Sequence, residues 1–195
     1  MTQTRFKPLT LEAMTPEQRA IAERRFSGPL QRLGAPMNVL IRSPQLAARV
    51  EPLSDFLRIA PLAISNRARE MVILMMARFW TAQYPWSAHG AQALKEGLSA
   101  ETLNDIAAGV TAGKRPRDLQ TDEAIVYDFV ASVLERKGVS DTVFAAVVQR
   151  YGERGMAELI GLIGAYTTTC VATAVDNFPA VEGAVPPLIQ MVPLG

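Results

Sequence analysis

The chain has 195 residues, 49% hydrophobic and 20% charged, which is the composition of one globular domain with its own core and excludes a disordered chain. Its 20 Lys and Arg nearly balance 19 Asp and Glu, and a net charge of +1 removes the main attraction to nucleic acid. One cysteine, Cys170, excludes an internal disulfide or dithiol couple; one histidine, His89, excludes a His-rich metal site within one chain and points acid/base work near neutral pH at itself.

No apolar run follows Arg5 and Lys7, so no signal peptide is expected, and the longest apolar stretch, 71–77, is too short to span a bilayer. The expected setting is a reducing cytoplasm. Thr15-Pro16-Glu17 predicts a capped helix to about Phe26. A short helix follows over 36–41, and Ser43-Pro44 starts another to about Val50. Pro52 then opens a separate turn of helix through Ile59. Ser65 caps a helix to about Gln83 that is apolar nearly all round, which belongs in the middle of a bundle. Pro85 is expected to interrupt it, with a helix resuming over 86–96 and ending at Gly97.

Ser99 opens a short helix to Ala108, and 109–120 is a loop. Helices are predicted from Thr121 to about Lys137 and from Ser140 to Tyr151, with a turn at 152–155 and a long apolar helix over 156–176. The last is read as buried, not as a membrane anchor. No stretch shows sustained strand alternation. The expected fold is all-α with seven or eight helices: an N-terminal extension over 1–35, a helical domain over 36–178 and an extended, Pro-rich tail over 179–195. The tail is more apolar than a solvated terminus, with Val185, Leu188, Ile189, Met191, Val192 and Leu194. It covers either its own domain or a neighbouring subunit.

A faint repeat aligns Glu70 to Ala77 with Glu158 to Ala165, sharing the leading Glu, Leu74/Leu162 and Ala77/Ala165; in that register His89 falls opposite Asn177. Two readings stand: two buried helices alike by chance, or a duplicated helical hairpin whose first copy alone kept the His.

The stretch from Arg67 to Gly97 could carry chemistry. Glu70 lies at the start of an apolar helix and needs a partner there. Folding back at Tyr84-Pro85-Trp86 brings His89 towards it, and a Glu–His pair fixes the imidazole tautomer for general acid/base work. The plainer alternative is a packing histidine and a glutamate paired with Arg67 or Arg78.

The run Arg67, Glu70, Ile73, Leu74, Ala77, Arg78, Trp80, Ala82, Tyr84, Trp86, His89, Ala93, Gly97, Leu98, Ser99 resembles the carboxymuconolactone decarboxylase family, which shares its fold with the alkylhydroperoxidase AhpD. The helix from Thr121 and the segment 139–166 are also similar, so the resemblance spans roughly 36–178. AhpD-like members carry C-x-x-C-x-x-x-H; counting back from His89, the two thiol positions are Ala82 and Pro85. Thiol peroxidase chemistry therefore does not transfer, and Cys170 on its apolar helix is no substitute.

The resemblance implies a cofactor-independent lyase acting on a small carboxylated lactone, with no metal. In it His89 is proton donor or relay, Glu70 orients it, Tyr84 is a hydrogen-bond donor and Trp86 a pocket wall. Pro85 replaces a Glu frequent in the family and leaves the substrate open. Arg67, Arg78 or Arg42 would hold the substrate carboxylate, and nothing in the sequence chooses among them. Tyr84, Trp86 and the arginines equally suit packing or ion pairing. A hydrolase or isomerase of a small cyclic substrate on the same scaffold, or a non-catalytic member, stays open. The family also implies a homo-oligomer, trimer or hexamer, with a small-molecule substrate and neither nucleic acid nor membrane as partner.

Overall fold

Serine and threonine caps set the starts of four of the α-helices. The structure, a computed structural model, describes residues 4–28, 31–183 and 185–189. Helix α1 (Pro16–Ser27) starts at Thr15, which forms a capping box with Gln18. Helix α2 (Met37–Leu40) and α3 (Pro44–Ile59) follow. Ser65 caps α4 (Asn66–Phe79) by accepting from the Ala68 N–H, and α5 spans Gln83–Lys95. Ser99 caps α6 (Ala100–Ala108), and Gln120 with Glu123 boxes the start of α7 (Thr121–Arg136). Ser140 caps α8 (Asp141–Val175). Among the described residues there is no strand, only an isolated bridge between Thr111 and Lys114.

Helix α4 is the axis of the fold. Every residue from Ala68 to Arg78 is buried, with α5, α6, α7 and α8 packed around it. Its neighbours supply Trp86, Ile106, Tyr127, Val130, Leu159 and Leu162 to one continuous core. Transfer of that apolar surface from water is the main stabilising term. A second, smaller core under α1, α2 and α3 contains Ile21, Ala22, Met37, Ile41 and Ala47.

Two local expectations need correction, and each turns on backbone chemistry. Pro85 does not interrupt a helix. Helix α4 already ends at Phe79, Thr81 turns the chain with φ 48, and Pro85 sits in the first turn of α5, where its missing N–H costs no hydrogen bond. Pro52 does not start a new helix either. It lies inside the continuous α3 on an exposed face, where water can serve the carbonyl it leaves unpaired. The turn expected after Tyr151 is present as a kink: within α8 two helical segments meet at Gly152, whose backbone leaves helical geometry with φ 69 and ψ 177, a left-handed φ that suits glycine. By length and composition α8 could cross a membrane, yet 44% of its most apolar window is buried inside the domain.

The tail packs on its own domain. Gln83 grips Leu188 at both N–H and carbonyl (3.0 and 2.8 Å), and the Trp86 indole donates to the Pro186 carbonyl at 2.9 Å. Val185 presses on Gly90 so closely that a Cβ there would meet its methyl at 2.7 Å. The tail residues Met191, Val192 and Leu194 lie outside the described residues.

Candidate functional site

The second turn of α4, the middle of α5 and the C-terminal half of α8 meet at a cavity that α3 also lines. The chain reversal at Thr81 sets α5 antiparallel to α4, which brings His89 beside Glu70 across 19 residues of sequence. The Glu70 carboxylate accepts from His89 Nδ1 at 2.7 Å. A neutral imidazole bonded this way has Nε2 as its acceptor. Tyr166 of α8 fills it: its hydroxyl donates to Nε2 at 3.1 Å, with the two rings edge to face. Glu70, His89 and Tyr166 thus form one hydrogen-bonded chain. Burial pushes the Tyr166 hydroxyl pKa far up; the charge of Arg58 is the strongest opposing influence, followed by the upward pull of Glu70.

This chain faces a cavity of about 450 Å³. Its wall includes Tyr84, Pro85 and Gln92 from α5 and Glu96 just after it, Ser54, Asp55 and Arg58 from α3, and Arg69 from α4. Residues of the N-terminal layer, among them Arg25, Arg32 and Met37, close the far side. Four arginines thus line the cavity against three carboxylates, Asp55, Glu70 and Glu96. Among the described residues no three His, Cys, Asp or Glu side chains converge as metal ligands.

Of the residues singled out in the sequence, Glu70, His89 and Tyr84 meet at the cavity. Tyr84 is a wall residue whose ring packs edge to face on Phe178 at 4.9 Å, outside the Glu70–His89 chain. Trp86 is 2% exposed and is not on the cavity wall; its indole is spent on the tail. The three arginines proposed for a substrate carboxylate all lie elsewhere. Arg67 pairs with the buried Glu123 at 2.6 Å and donates to the carbonyls of Gly97 and Asp118. Arg78 is buried with its guanidinium on the Ile189 carbonyl at 2.9 Å. Arg42 reaches the Lys7 carbonyl and stacks over Phe6. Arg78 is buried and Arg67 partly so, and a guanidinium out of water must find acceptors wherever the fold offers them; Arg42 is exposed and is held by the N-terminal segment.

Tyr166, Arg58 and Arg69 are the site residues that sequence reasoning missed. A single tyrosine on an apolar helix does carry a signal, since a buried hydroxyl needs a partner. The arginines carry none, because their neighbours come from other helices.

Ala82 and Pro85, which stand where AhpD-like proteins are expected to carry their two thiols, are both buried, and Pro85 lines the cavity. Cys170 is fully buried on α8, and burial pushes its thiol up to about 12, away from the reactive thiolate.

This arrangement of helices is the fold of the alkylhydroperoxidase AhpD core. Over 93% of its length the chain is similar to an uncharacterized peroxidase-related protein with an AhpD core from Ralstonia eutropha JMP134, covering 94% of that chain with a TM-score of 0.73 at 14% identity. A second uncharacterized peroxidase-related protein, from Silicibacter sp. TM1040, is similar over 94% of this chain and 96% of its own, with a TM-score of 0.69 at 12% identity. No protein-family model matches the chain, and no curated protein does.

Proposed function

We propose that the chain is a cofactor-independent lyase of the carboxymuconolactone decarboxylase kind, removing CO₂ from a small carboxylated lactone. The observation that carries this reading is the Glu70–His89–Tyr166 hydrogen-bonded chain on the wall of an arginine-lined cavity. In the reaction the bond between the ring carbon and the carboxylate breaks. Its electron pair enters the conjugated lactone, and CO₂ leaves. The resulting dienolate then takes one proton on carbon, so substrate anion plus a proton gives the decarboxylated lactone and CO₂. For that step Nε2 of His89 first takes up a proton from solvent; the imidazolium, its Nδ1–H held on the Glu70 carboxylate that stabilises the positive charge, then gives the proton to carbon, directly or by replacing the hydroxyl proton that Tyr166 passes on.

The neighbours' peroxidase-related names favour a second reading, peroxide reduction. It lacks support in this chain, where Ala82 and Pro85 stand at the thiol positions and the one cysteine is buried. A hydrolase or isomerase would use the same relay on a related ring.

Product analysis over a panel of carboxylated lactones and organic hydroperoxides separates these readings. The lyase predicts CO₂ release that falls about 10²- to 10⁴-fold in His89→Ala. A ring-opened acid without CO₂ assigns a hydrolase, and hydroperoxide consumption with a thiol reductant assigns the peroxidase. Self-association is part of the proposal. Large apolar residues including Leu53, Phe56, Ile160 and Val175 are exposed on the chain. A monomer in light scattering at micromolar concentration would count against it.

A further inference from the structure

Among the described residues Arg58 is the partly buried cation of the cavity that has no partner for its guanidinium. Arg25 gives its Nε–H to the Leu33 carbonyl at 2.7 Å and lies between Glu51 and Asp55 at 3.8 and 3.6 Å. Arg69 gives both terminal nitrogens to the end of α3, donating to the carbonyls of Arg58 and Ala60 at 2.7 and 2.6 Å. Those carbonyls have no partner within the helix, so Arg69 acts as a cationic cap on the negative end of α3. Arg32 is exposed, where water screens a lone guanidinium. Arg58 is half-buried, lines the cavity, and forms no hydrogen bond or ion pair through its guanidinium among the described residues. Its neighbour's cap frees it from any local duty at the helix end.

We propose that Arg58 is the anchor for the carboxylate of a small cyclic acid in the cavity that His89 and Tyr166 line. This deepens the lyase reading and rests on it for the chemistry that follows binding. A guanidinium presents paired N–H donors that match the two oxygens of a carboxylate, and partial burial strengthens the pair over a surface contact. A cavity of about 450 Å³ holds one such ring with water to spare. Asp55 and Glu96 on the wall disfavour a second carboxylate, so monocarboxylic rings are the preferred class.

The chain has one histidine, so its imidazole gives a single, unambiguous NMR reporter inside the cavity. The experiment titrates untagged, ¹⁵N-histidine-labelled full chain with 2-furoate, and with 2-furamide as its neutral isostere. Furoate is expected to move the His89 signals saturably and to bind more tightly than furamide. Arg58→Gln should raise the furoate Kd about tenfold or more while leaving furamide unchanged, and Arg58→Lys should recover part of the loss. Arg32→Gln should shift the furoate Kd by less than about threefold. Equal affinity for furoate and furamide, no furoate response, or a furoate Kd indifferent to Arg58→Gln overturns the anchor. If Arg58→Gln fails to fold, the furoate–furamide difference and Arg58→Lys decide. Furoate binding that depends on Arg58, without CO₂ release from any lactone, sinks the lyase and keeps the anchor. CO₂ release with a KM unmoved by Arg58→Gln does the reverse.

Discussion

Glu70 and Glu158 stand at matching places in two apolar helices, and both are 8% exposed. Their partners differ. Glu70 accepts from an imidazole whose other nitrogen leads to a tyrosine and a cavity. Glu158 accepts from the Ala63 N–H at 2.7 Å and from Arg154 at 2.7 Å, pinning the loop before α4 to α8. Burial obliges a carboxylate to find donors but does not choose them. An imidazole donor beside a cavity makes a site; a backbone amide and a surface arginine make a staple. The two regions also part at the turn. After Phe79 the chain reverses into α5, whereas residues 167–171 in the matching register continue α8 as helix, and Asn177, opposite His89, is an exposed residue with φ 56. The likeness is confined to a buried helix.

The largest expected effect breaks or upholds this contrast directly. Glu70→Ala should lower turnover in the proposed lyase reaction about 10²-fold or more with helicity intact, whereas Glu158→Ala should leave it within about twofold. Steady-state CO₂ release on both variants checks it, and the reverse ranking would dissolve the comparison. Next, Tyr166→Phe strips the hydroxyl that donates to Nε2. A loss of about tenfold in kcat is expected, with a change in the pH dependence of kcat that a packing role would not give. A wild-type pH profile and rate would reduce Tyr166 to a wall.

Glu158→Ala should instead act on stability. Leaving the Ala63 N–H unpaired and Arg154 without its partner is expected to cost about 1–3 kcal/mol in urea unfolding. An unchanged midpoint would mean that water replaces the staple.

The smallest effect is expected at Cys170, one turn beyond Tyr166. Cys170→Ala should leave turnover unchanged, and the native thiol should resist iodoacetamide at pH 8 until denaturant is added. Its pKa is raised in the folded chain, so the neutral thiol is the stable native form. That contribution to stability is present below the unfolded thiol's range and is lost as pH rises towards about 12. Fast native alkylation would place reactive chemistry on the α8 side after all.

Much of the frame was legible because it is local. Thr15, Ser65, Ser99 and Ser140 each cap the helix expected after them, since an N-cap bond spans three residues and needs nothing distant. The all-round apolar α4 announces its central place for the same reason. Proline misleads, because its meaning depends on position: Pro85 reads as a break but serves as a first-turn residue, and Pro52 is tolerated on an exposed face. The Glu70–His89 contact follows from a helix reversal within 19 residues, close enough for pattern to suggest.

The rest belonged to the tertiary structure. Tyr166 lies 77 residues from His89, and Arg58 reaches the same cavity from a third helix. Arg67, Arg78 and Arg42 were drawn away from it by Glu123, the Ile189 carbonyl and the Lys7 carbonyl, partners 56, 111 and 35 residues away. By itself the sequence determined the helices, the missing dithiol and the candidate acid/base pair, because caps, composition and short loops act over a few residues. Only the packed structure decided which hydroxyl completes the relay and which cations line the cavity. A long polar side chain is assigned by whichever acceptor the distant chain places within hydrogen-bond reach.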